Sequence, residues 1–164
     1  MSRKKVLIPI DDSPFSLQIL SYVQELLSPA ETELILLHVE QEPEAIHIEL
    51  PGSESFNIYT DQAEESMRID FSISMEPLIQ KLTDLGFKAT TDMGFGKPAQ
   101  AIEARIFYRP VDMIAMTTHG RKGLDRVILG SVAEHILHHC HVPILLFHPS
   151  DEGQTTNGKK AHAA

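Results

Sequence analysis

Apolar periodicity in this chain switches repeatedly between short buried runs and helical spacing, and the strict order of those switches restricts its fold more than any other feature. Residues 4–10, Lys-Lys-Val-Leu-Ile-Pro-Ile, read as a short strand. Asp11-Asp12-Ser13-Pro14 is a turn that also offers a helix start, with Ser13 as N-cap and Pro14 at the first helical position. Phe15, Ile19, Val23 and Leu26 or Leu27 then recur at helical spacing until Ser28-Pro29. Residues 33–39 form a second apolar run.

Residues 40–60 follow no period and carry Pro43, Pro51 and Gly52, which predicts a long surface loop. Met67, Phe71, Met75 or Leu78, and Leu82 mark one face of a helix over 61–85, with Gly86 just past its end. Residues 87–93 read as a more polar strand at a sheet edge. Gly94, Gly96 and Pro98 form a turn into a short helix carrying Ala99, Ile102 and Ile106, which ends before Pro110. A fourth strand follows over 111–116, a Gly-rich stretch over 117–130, a helix from Ser131 to about His139, and a fifth strand over 142–147. From Ser150 the periodicity is lost, so 1–149 reads as one domain and 150–164 as a disordered tail. Such alternation predicts an α/β fold, an open parallel sheet with helices on both faces. Ligands of such sheets sit beyond the carboxyl ends of the strands, which nominates the loops after strands one, two and four.

Charge narrows the function. Lys and Arg number 14 against 23 Asp and Glu, a net charge of −9. That balance gives no general attraction to nucleic-acid backbones or anionic lipid, so neither is an expected partner. No apolar run approaches the roughly 18 residues of a membrane span. Met-Ser-Arg-Lys-Lys followed by a short apolar run and two aspartates does not read as a signal peptide, and the lone Cys140 suits a reducing cytoplasm.

Against that acidic background, Arg121, Lys122 and Arg126 place three cations within one Gly-rich stretch, Thr117-Thr118-His119-Gly120-Arg121-Lys122-Gly123, that runs on to Gly130-Ser131. Gly130-Ser131 opens a helix whose first amides and positive dipole end suit an anion, with the Ser131 hydroxyl as a further donor. This is not a P-loop, since no G-x-x-x-x-G-K-[ST] occurs. His135, His138, His139 and His141 surround Cys140, but they lack a second pair at zinc-ligand spacing, and histidines at a helix end are favoured by its dipole. No G-x-S-x-G elbow or defined base accompanies Ser131, so any nucleotide hydrolysis is expected to be slow.

The stretch resembles the signature of the universal stress protein family, G-x-x-G, nine residues, then G-[ST]: from Gly120, nine residues lead to Gly130-Ser131. Val-Leu-Ile-Pro-Ile-Asp-Asp-Ser, Leu-Leu-His-Val, the Gly94–Pro98 turn and Val-Pro-Ile-Leu-Leu-Phe are similar to further family segments in the same order, covering nearly all of 4–148. The resemblance implies a Rossmann-like sheet of the adenine nucleotide alpha hydrolase type, strand order 3-2-1-4-5, and a homodimer through the final strands at 142–147. It also implies ATP or another adenine nucleotide, with Mg or Mn, and a stress-response role. By the same resemblance Pro9, Ile10, Asp11 and Val39 line the adenosine end, Met116, His119 and Gly120 form the floor and ribose side, and Thr117 and Arg121 count among the binding residues. Gly130, Ser131, Val132 and Ala133 hold the phosphates. One departure stands out: Thr117 occupies the place of the first motif glycine, where a β-branched residue adds bulk and resists positive φ. A nucleotide-free interaction module of the same fold is the alternative that this departure raises.

Overall fold

A computed structural model describes residues 2–11, 13–43, 58–118 and 129–149. The strands are β1 (Lys4–Ile10), β2 (Thr32–Glu40), β3 (Lys88–Phe95), β4 (Met113–Thr117) and β5 (Ile144–Phe147); the helices are α1 (Ile19–Leu26), α2 (Ile58–Asp84), α3 (Pro98–Tyr108) and α4 (Ser131–His139). The five strands form one sheet in the order β3-β2-β1-β4-β5, and every pair in it is parallel.

Alternation along each strand divides the apolar side chains between two cores. Val6, Ile8, Leu34, Leu36 and Ala115 pack with Ile19, Leu20 and Val23 of α1 and with Leu82, Leu78 and Phe71 of α2. Leu7, Ile35, Leu37, Ile114 and Met116 face the other way, onto Ile102 of α3 and Ala133 and Ile136 of α4. A chain that steps outward from β1 under α1 and α2, then crosses back under α3, keeps each crossover right-handed. That reversal puts the switch point between β1 and β4.

The elements match the sequence reading, with local corrections. The helix expected from Pro14 begins later: Ser16–Gln18 is a 3-10 turn and α1 proper starts at Ile19. Ser16 is buried, its hydroxyl accepts from the Asp11 amide at 3.2 Å and donates to the Ser13 carbonyl at 3.0 Å, and those bonds hold the chain in a turn where Ser13 and Pro14 alone signal a helix. Leu27, not Leu26, packs on the core, and Leu26 is exposed. β5 begins at Ile144 rather than 142 because Pro143 has no N–H to donate, although its carbonyl accepts from Ile114 at 2.9 Å. The expected 40–60 loop is shortened by α2, which starts at Ile58; residues 44–57 lie outside the described residues, as does the tail from Ser150.

Gly86 ends α2 as its position in the sequence suggests. Its φ of 93° is left-handed, its amide donates to Thr83 O at 2.8 Å, and the next amide, Phe87, donates to Leu82 O at 3.1 Å. These two bonds are a Schellman motif, and its apolar pair, Leu82 with Phe87, is buried. An added Cβ would meet Pro29 Cβ at 3.4 Å, an ordinary contact, so the cost of substitution is backbone strain and not a clash. Gly86→Ala is expected to destabilise the chain by about 1 kcal/mol, read as a lower urea midpoint with an unchanged slope.

Candidate functional site

The ladder between β1 and β4 runs only from Val6 opposite Met113 to Leu7 opposite Ile114, whereas β1 stays paired with β2 as far as Ile10 opposite His38. The two central strands therefore part toward their carboxyl ends. The crevice in which doubly wound sheets take their ligands is expected at this switch point.

Pro9, Ile10 and Asp11 stand at the β1 side of that crevice, and Met116 and Thr117 at the β4 side. Val39, Met116, Val132 and Ala133 belong to one apolar cluster, so the structure brings four of the expected site residues together on the α3/α4 face. Ile10 packs in the opposite core. Thr117 lies inside the β4–β5 ladder opposite Phe147, in extended backbone that β-branched residues favour, and alternation turns its side chain to the face of Ala115, away from Met116. The positive φ that a glycine at this place would serve is therefore not required here. His119, Gly120 and Arg121 lie outside the described residues.

The phosphate end is built from the start of α4. Gly130 is the N-cap, with φ −62° and ψ 151° and no side-chain cap. Its own amide is spent on Thr118 O at 2.8 Å, and the first intrahelical bond is from Glu134 N to Gly130 O at 2.9 Å. The amides of Ser131, Val132 and Ala133 thus have no carbonyl acceptor among the described residues, and the Ser131 side chain is exposed beside them. Donors without acceptors at the positive end of a helix are what an anionic group needs.

Asp11 is already half used. Its Oδ1 accepts from the Ser13 amide at 3.1 Å, an Asx turn that shapes the exit from β1, while Oδ2 has no partner among the described residues. A carboxylate held this way can still accept from a hydroxyl or amine of a ligand.

Two histidines at this edge were not singled out by the sequence. His38 is buried, with Nδ1 3.3 Å from Ile10 O and Nε2 3.4 Å from Glu40 Oε2, and its ring stacks on Phe71 at 5.2 Å. His148 places Nδ1 2.9 Å from Thr118 Oγ1, next to the bond from Thr118 N to Phe147 O at 2.8 Å. The sequence separations, 28 and 30 residues, leave no local pattern to find. The Gln41 amide, followed by His38, holds the Glu40 carboxyl below its ordinary range. A carboxyl with a depressed folded pKa adds stability above its unfolded pKa and loses it as pH falls through the folded value. Glu40→Gln is therefore expected to lower the urea midpoint slightly at pH 6, with the difference from the parent shrinking as pH falls below about 4.3.

Among the histidines near Cys140, His135 and His139 stack at 4.1 Å, and His135 Nε2 lies 3.1 Å from Glu103 Oε2 on α3. Among the described residues no three potential ligands gather into a metal site. Burial, then the Glu103 carboxylate, pushes the Cys140 thiol above its ordinary range, which keeps it a thiol at neutral pH.

Residues 2–148 match the family model described as Universal stress protein family. The chain is 28% identical over 144 residues to the universal stress protein MJ0531 of Methanocaldococcus jannaschii, covering 87% of this chain and 81% of that protein. The solved structure of MJ0577 from the same organism superimposes with a TM-score of 0.68 at 26% identity, covering 93% of this chain and all of the other. A universal stress protein from Arabidopsis thaliana, solved with AMP bound, shares the fold at a TM-score of 0.61 and 14% identity, over 94% of this chain and 97% of its own.

Proposed function

Because the chain belongs to the universal stress protein family, we propose that it binds an adenine nucleotide, ATP in the first instance, and serves as a dimeric stress-response module in the cytoplasm. The observation that carries this reading is the trio of amides at Ser131, Val132 and Ala133, unaccepted among the described residues at the start of α4. The phosphates would lie on these amides and the Ser131 hydroxyl, accompanied by Mg or Mn. The adenosine would lie along Pro9, Val39 and Met116, with Asp11 Oδ2 accepting from it. AMP in the Arabidopsis relative supports the class of ligand.

The dimer would form through 142–147. β5 is an edge strand of four half-buried apolar residues, Ile144-Leu145-Leu146-Phe147, paired among the described residues with β4 alone. No described helix is long and apolar enough to cross a membrane.

Denaturing the purified protein and measuring adenine absorbance in the supernatant, beside the rise in Tm on adding ATP, tests the ligand. Carried-over adenine or an ATP-dependent rise is the expected result. A clean supernatant with no rise removes the nucleotide and leaves the interaction module. For the dimer, light scattering is expected to give twice the chain mass, and a monomer would exclude pairing through β5.

A further inference from the structure

α3 covers only part of its face of the sheet. The helix ends at Tyr108 and the chain turns at Arg109-Pro110, so the amino-terminal half of that face lies open beneath the helix end. There a cleft of about 460 Å³ is lined by Lys5, Glu33, Ile35, Thr90, Asp92, Arg105, Arg109 and their neighbours. Lys5 lies one residue into β1 and Ile10 ends it, so this cleft and the proposed nucleotide site occupy opposite ends of the same strands, roughly 17 Å apart.

Its charges are organised for an anion. Both carboxylates of the lining are committed already. Asp92 accepts from the Met93 amide through Oδ1 at 3.0 Å, and through Oδ2 it holds Arg105 Nε at 2.5 Å and Arg109 Nη1 at 3.5 Å. Glu33 pairs with Lys88 Nζ at 3.1 Å. Nearby Asp112 accepts from the Lys5 backbone amide at 2.7 Å. On the other side, Arg105 uses a second donor on Arg109 O at 2.6 Å, which fixes its guanidinium against the helix end. A guanidinium carries five N–H donors, so both arginines keep several, and the Lys5 ammonium has no anionic partner among the described residues. Asp92 acts as a bracket that orients two guanidinium groups without filling them. In a chain of net charge −9, the lining of this cleft carries three cations against two carboxylates, a local excess of one positive charge.

We propose that this cleft is a second anion site, which takes a small phosphate-bearing ligand between Arg105, Arg109 and Lys5. Planar guanidinium donors match the paired oxygens of a phosphate, and the Thr90 hydroxyl on the floor offers another donor. The volume suits a phosphate with a small organic group and is too small for a folded partner.

The test is an amide NMR titration of the full chain with inorganic pyrophosphate, and separately with glycerol 2-phosphate, at constant ionic strength. Saturable shifts at Lys5, Glu33, Thr90 and Arg109 are expected, weakened at least about tenfold by Arg109→Ala or Lys5→Gln and retained in Gly130→Asp. Tighter binding of the ester identifies a phosphorylated metabolite as the ligand class, and tighter binding of pyrophosphate identifies a free inorganic anion. Arg109 is 71% exposed at its side chain, so its truncation leaves the fold intact. Shifts that never saturate, that survive both cleft substitutions, or that are confined to Ser131–Ala133 would overturn the proposal.

Discussion

Gly130→Asp is expected to abolish the rise in Tm that ATP gives the parent, while leaving the ligand-free protein at least as stable as before. Gly130 has φ −62° and ψ 151°, a region any L-residue adopts, so aspartate fits the backbone. Its carboxylate is a strong N-cap: it accepts from the amides of the first turn that now lack an acceptor, and its charge suits the helix dipole. Together these effects add about 0.5 kcal/mol to the free protein. The same carboxylate occupies the donors a phosphate would use and repels it. With ATP at one hundred times its Kd the parent gains about 2.7 kcal/mol, roughly 5 to 10 °C in a chain of this size, and the variant gains none. Thermal scans of both proteins with and without ATP check this. An equal rise in both would show that the nucleotide, if bound, does not use the start of α4.

Leu7→Ala carries the largest expected loss of stability. Leu7 is fully buried in the central strand β1, between Ile35 on β2 and Ile114 on β4 in the α3/α4 core. Neighbours on both sides are held by ladder hydrogen bonds and cannot close on the space, so transfer and cavity costs add to about 2 to 5 kcal/mol. Ile144→Ala, at a position only half-buried within the chain, should cost about half as much or less, because less apolar area inside the chain is lost. Urea midpoints of the two variants order them. A smaller loss for Leu7 than for Ile144 would contradict the placement of the core.

The sequence was most legible where one residue type has one physical use. Gly86 could be placed past the end of α2 because left-handed backbone selects glycine, and Pro98 at the first turn of α3 because that position needs no amide donor. The polar composition of 87–93 marked an edge strand, and β3 is one. Legibility failed where a distant or competing partner decides. Ser16 turns the entry to α1 into a 3-10 turn by bonds to Asp11 and Ser13 that compete with a strong helix-start signal. His38 on Ile10, His135 on Glu103 and Arg105 on Asp92 are joined only by the tertiary fold, and no spacing announces them. In the site, the start of α4 was legible from Gly130-Ser131, and the facing of Thr117 was not, since it depends on where β4 begins.

Thr118 joins the start of α4 to the end of β5. Its amide is fastened to Phe147 at the tip of the outermost strand, its hydroxyl to His148, and its carbonyl to the amide of Gly130. The first turn of α4 and the margin of the sheet are therefore joined through a single residue. Three hydrogen bonds on that residue thus fix where the helix begins relative to where the sheet ends.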